Sequence, residues 1–161
     1  MARLVAVPSW LSFSWWWLLA VSILANLCAL HLKPISAMLD AGLILWPVVQ
    51  AGWLKKASPS GTAIYWIAVG SVLGLALSFL MPGVVFGGTW WQDLITLGIA
   101  CCYIAGVCFF IGDLKEYVAE METYHPELNY VWAILFSTFY FQYKLHEIAA
   151  DQQLVASRLA L

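Results

Sequence analysis

Between Arg3 and Lys33 the chain contains no Asp, Glu, Lys or Arg, and the stretches 63–80 and 94–111 are equally free of charge. A helix that crosses a bilayer needs about 20 mostly apolar residues to span a hydrocarbon core of roughly 30 Å. Three charge-free runs of that order in 161 residues leave little of the chain to make a water-facing surface. Composition agrees. Hydrophobic residues are 63% and charged residues 10% of the chain, against roughly 45–50% and about 25% in soluble domains. The pattern predicts an all-α integral membrane protein. Its few Lys and Arg also exclude the basic stripe that nucleic-acid binding requires.

Four spans are predicted, at 10–30, 35–54, 63–80 and 94–111. Pro34 marks the first turn, because proline cannot continue a helix interior. The second span is the least apolar, carrying Asp40 and Gln50 and ending at Lys55-Lys56. The polar break Ser58-Pro59-Ser60-Gly61 separates it from the third. With the N-terminus in the cytoplasm, Arg3, Lys55, Lys56, Lys115, Lys144 and Arg158 lie inside and only Lys33 outside. That is the asymmetry expected of cytoplasmic loops. Both termini are therefore expected in the cytoplasm, with the chain in a bacterial inner membrane. The first apolar stretch is too long for a signal peptide and lacks a small-x-small site after it, so it is expected to be retained.

From Asp113 the pattern becomes amphipathic. Leu114, Tyr117, Val118 and Met121 follow helical spacing, with Lys115, Glu116, Glu120 and Glu122 on other faces. The fourth span should thus continue as one helix beyond Gly112 and end near His125-Pro126. Residues 130–143 then hold seven Tyr, Trp or Phe in fourteen positions, a density suited to a membrane interface. An interfacial or re-entrant helix is expected there; a fifth crossing is the alternative and would carry Lys144 and Arg158 outside. The expected organisation is a four-span bundle, 1–112, followed by a cytoplasmic and interfacial helical hairpin, 113–161.

No catalytic motif is present: neither a Ser/His/Asp set, a phosphate-cradling glycine loop nor H-E-x-x-H. Cys28, Cys101, Cys102 and Cys108 lack zinc-ligand spacing and read as buried thiols. His31, His125 and His146 fall near span ends and are not arranged to hold haem, so neither metal nor cofactor is expected. Gly70, Gly74 and Ser78, four apart, allow close helix approach, within this chain or between copies.

A non-enzymatic accessory, scaffold or oligomeric membrane component is the expected function, with the bilayer and a homo-oligomer or membrane-complex partner as its contacts. Its candidate partner-facing residues are Leu114, Tyr117, Met121, Glu116, Glu120, Trp132 and Tyr140. The alternative is a small oligomeric channel or transporter. Carboxylates inside a span are costly and mark polar pathways, so Asn26, Asp40 and Gln50 are the candidate polar seam. Asp93, near the start of the fourth span, reads more simply as a complement to the helix dipole.

Overall fold

Backbone N–H groups at a helix start have no partner within the helix, and this chain meets that need differently at each helix. A computed structural model describes residues 6–29, 32–58, 60–80, 89–119 and 127–159. They form five helices: α1 (Trp16–Ala29), α2 (Lys33–Ala57), α3 (Ala63–Leu80), α4 (Trp90–Ala119) and α5 (Tyr130–Leu159). Pro34 opens α2 from within its first turn, where the missing N–H costs nothing. At α4 the Thr89 N–H donates to Gln92 Oε1 at 2.7 Å, the returning arm of a capping box. Asn129 caps α5, its Oδ1 accepting from the N–H groups of Val131 and Trp132 at 2.9 and 3.3 Å. The cap of α3 comes from another helix: Asp113 of α4 accepts the Ala63 N–H at 3.1 Å.

Two helices, α2 and α4, are long and apolar enough to cross a membrane. α1 and α3 are apolar but shorter, with 14 and 18 residues. The predicted first span begins too early. Residues 6–15 are turns and extended chain, and helix starts only at Trp16. Pro8 favours a turn, and the Leu11 N–H closes one on the Pro8 carbonyl at 2.9 Å. Side chains of α5 then satisfy carbonyls that a longer helix would have bonded internally.

Successive helices α1 to α4 pack as an antiparallel meander, each chiefly on its neighbours. Among the described residues, α1 has no packing against α4 comparable to these, so the expected four-helix bundle is not closed by its own four members. α5 instead packs against α2 and α4. The tightest junction is α3 on α4. A Cβ on Gly70 would lie 3.2 Å from the Tyr103 Cα, and one on Gly106 would lie 2.8 Å from the Ile67 backbone nitrogen. The small-residue face at Gly70 therefore serves packing within the chain, where missing side chains let the backbones approach.

The hydrophobic core is not centred along the bundle. It gathers at one end, where Leu11, Leu54, Ile67, Phe110, Phe141 and Leu145 are completely buried. The rings of Phe110 and Phe141 stack with centroids 4.0 Å apart. This cluster draws on both sides of Gly112, so residues beyond 112 complete a core begun by the spans. Trp53 is part of it at 6% exposure, edge-on to Tyr117 at 5.3 Å.

α5 is not straight. Ser137 has non-helical φ 13° and ψ −87°, and the helix folds back there. In a straight helix Asn129 and Tyr140 would stand about 16 Å apart along the axis. Yet the Asn129 N–H donates to the Tyr140 hydroxyl at 2.7 Å.

The glycine junction yields a direct test. Gly106→Ala forces a Cβ against the Ile67 backbone, and overpacking of this kind costs about 1–3 kcal/mol. Gly112→Ala, with nothing within 4 Å of the new Cβ, should be neutral or slightly stabilising, since Ala favours helix by about 1 kcal/mol over Gly. Thermal unfolding of the two purified variants in detergent should show a lower Tm for the first only.

Candidate functional site

Gln142 is fully buried at the centre of the core end. Its Oε1 accepts from the Trp46 indole N–H and from Gln50 Nε2, both at 3.0 Å. Its Nε2 donates to the carbonyls of Leu11 at 2.8 Å and Phe13 at 2.7 Å. A primary amide has two donors and two acceptor lone pairs, and here every one is used. One side chain thereby joins α5, α2 and the N-terminal strap 6–15.

Two further α5 side chains hold the strap. His146 Nδ1 lies 2.6 Å from the Ser12 carbonyl; a carbonyl only accepts, so this contact places a proton on Nδ1. Gln152 Oε1 accepts the Val7 N–H at 3.0 Å while its Nε2 donates to the Tyr117 hydroxyl at 2.8 Å. The strap, which lacks helical hydrogen bonds, borrows its partners from α5. Beside the cluster, Gln50 Oε1 and the Trp53 indole N–H are buried without a hydrogen-bond partner.

A second polar group ties the α2–α3 loop to α4. Lys55 Nζ donates to the Gly61 carbonyl at 2.7 Å. The hydroxyls of Ser60 and Ser58 donate to Glu116 Oε2 at 2.8 and 3.3 Å. Gly61 packs under Asp113 so closely that a Cβ would lie 2.5 Å from its Oδ2. Asp113 stands beyond the charge-free stretch of α4. Burial pushes its carboxyl pKa up, while the Ala63 N–H bond works in the opposite direction.

The candidate seam residues lie in three different settings. Asn26 is exposed on α1 and donates to the Ser22 carbonyl of its own helix at 2.9 Å. Asp40 is exposed on α2 and accepts from Ser36 Oγ at 3.3 Å. Gln50 is buried against Gln142.

Of the expected partner-facing residues, Leu114 and Tyr117 are 0% and 1% exposed. They face the core within this chain, where α5 packs over α4. Glu116 is exposed but engaged by the two serines. Trp132 is exposed and stacks on Phe136. Tyr140 is half-buried, its hydroxyl held by the chain at 127–129. Glu120, Met121, His31 and His125 lie outside the described residues.

Gln142, Gln152 and Asp113 were not among the sequence candidates. The signal for the first two is visible in retrospect: both glutamines sit on the apolar stripe of Phe141, Leu145 and Ile148, where a polar side chain needs a buried partner. Nothing in the local sequence says which carbonyls they meet.

Gln142→Leu keeps similar bulk but leaves two donors and two carbonyls without their partner, and each buried unsatisfied group costs about 1–3 kcal/mol. The variant should lose about 3 kcal/mol or more in a denaturation measurement. Residues 6–15 should become sensitive to limited proteolysis. Gln153→Leu, at an exposed position, should leave both readouts near wild type.

No protein family, curated protein or solved structure matches this chain, so its function is read from this geometry.

Proposed function

We propose that this chain is a non-enzymatic accessory or scaffold component of a bacterial inner membrane. Four helices are embedded and both termini are cytoplasmic. The observation that carries the reading is the uneven exterior. Away from the core end, large apolar side chains stand exposed on every helix from α1 to α4, among them Leu27, Met38, Val72 and Leu94 at 62%, 76%, 57% and 64%. Such a surface is unfavourable in water and suited to lipid. The lysines Lys55, Lys56 and Lys115 gather with the core at the opposite end, consistent with a cytoplasmic side rich in positive charge.

The same end presents exposed Glu127, His146, Gln153 and Arg158, with Leu154 59% exposed among them. A polar face with one large apolar residue suits a protein partner better than lipid. This favours an accessory role over a channel. The channel reading requires Asn26, Asp40 and Gln50 to share one pathway, whereas Gln50 is buried against Gln142.

Topology and assembly are tested separately. In a chain with its four cysteines replaced, Thr89→Cys should react with an impermeant maleimide on intact cells, and Ser60→Cys only after permeabilisation. Labelling of Ser60→Cys in intact cells would reverse the orientation. Purified in mild detergent, the wild type should migrate as an oligomer or with a stoichiometric partner, and Leu154→Arg should weaken that association while preserving the monomer's Tm. A wild type that stays monomeric and alone removes the scaffold reading.

A further inference from the structure

The fold-back of α5 brings both of its arms to the same end of α4. At its start, Tyr130 meets Lys115: the Nζ is 3.5 Å from the Tyr130 hydroxyl and 4.6 Å from its ring centroid. Beyond the bend, Phe141 stacks on Phe110 and Gln152 reaches the hydroxyl of Tyr117. At the bend itself, Ser137 Oγ lies 3.1 Å from the hydroxyl of Tyr103. Tyr103 sits about 18 Å along α4 from Lys115. The chain thus climbs α4 from residue 130, turns at Ser137 and descends beside it.

The two arms differ in surface. On the descending arm Phe141, Gln142, Leu145 and Ile148 are wholly buried in the core. On the ascending arm Val131, Trp132, Leu135 and Phe136 are 63%, 52%, 66% and 50% exposed. This outer arm carries no Asp, Glu, Lys or Arg from 128 to 143. Around its base stand three lysines over tyrosine rings: Lys55 on Tyr65, Lys115 on Tyr130 and Lys144 on Tyr143, at 5.6, 4.6 and 5.3 Å from the centroids. Tyrosine with an apolar body and a polar tip, and lysine with a long apolar stem, both settle at the membrane–water boundary. Tyr65 lies in the first turn of α3 and Lys115 follows the apolar part of α4, and the pairs together draw on α2, α3, α4 and α5.

We propose that residues 130–143 form a re-entrant wedge in the cytoplasmic leaflet, entering at Tyr130 and returning at Tyr143, with lipid acyl chains as the occupant of its outer face. The proposal rests on the membrane reading above. The apolar face of 130–136 is continuous in character with the exposed flanks of α3 and α4. Its helical rise of about 10 Å suits one leaflet and falls short of a crossing. The bend is non-helical backbone at membrane depth, which lipid alone does not tolerate. Here it lies against α4, and the Tyr103 hydroxyl supplies a polar partner for Ser137. The wedge pulls the descending arm into position over Phe110, so lipid contact on one arm and core packing on the other belong to the same element.

The test uses the full chain with Cys28, Cys101, Cys102 and Cys108 replaced by serine. Single cysteines Leu135→Cys, Val72→Cys, Glu127→Cys and Gln153→Cys carry an environment-sensitive fluorophore, in phosphatidylcholine vesicles with a minority of phosphatidylglycerol. Acyl-chain doxyl lipids should quench the label at Leu135→Cys as strongly as at Val72→Cys. Labels at Glu127→Cys and Gln153→Cys should escape quenching, and both cysteines should react with impermeant maleimide from the same side. A water-exposed Leu135→Cys beside a quenched Val72→Cys overturns the wedge and leaves the membrane reading standing. Labelling of Glu127→Cys and Gln153→Cys from opposite sides replaces the wedge by a fifth crossing. Loss of quenching at Val72→Cys overturns both readings.

Discussion

The saturated amide of Gln142 is the interaction on which the rest of this fold depends. Its four hydrogen bonds reach α2 through Trp46 and Gln50 and the strap through Leu11 and Phe13. Inside a low-dielectric core a polar group is costly unless it is fully satisfied. That penalty makes the arrangement specific: any shift of α5 along α2 leaves several groups unpaired at once. The surrounding hydrophobic cluster supplies most of the attraction, but apolar contact is tolerant of sliding. The glutamine fixes the register.

Two kinds of packing divide the molecule. Along α3 and α4 the backbones meet at Gly70 and Gly106, and association there depends on the close van der Waals fit that missing side chains allow. At the core end large apolar side chains are fully buried, Gln142 and Gln152 meet specific partners, and Asp113 caps α3. Residues from before and after Gly112 share this core. This core is therefore built jointly by the helices and the C-terminal segment, and removal of residues beyond 112 would uncover Phe110 and Ile111.

Asp113 shows how the same end is locked from a second direction. It caps α3 from α4, while Glu116, one turn further on, holds the hydroxyls of Ser58 and Ser60. Lys55 closes the loop by donating to Gly61. These bonds hold the α2–α3 connection against α4, next to the clamp that Gln142, His146 and Gln152 place on the strap.

Helix content and most helix bounds were legible in the sequence because they follow from local rules. Charge-free runs specify apolar helices, Pro34 specifies the break between α1 and α2, and the stripe after Asp113 specifies that α4 continues past Gly112. The aromatic stretch at 130–143 marked a further helix. The sequence did not reveal that residues 10–15 leave helix, because their carbonyls are satisfied by side chains some 130 positions away. Nor did it reveal that Gln50 faces Gln142 rather than Asp40, or that Leu114 and Tyr117 are covered. Those outcomes depend on where α5 bends and which groove receives its descending arm. Helix periodicity places a residue on a face; only packing decides what that face meets.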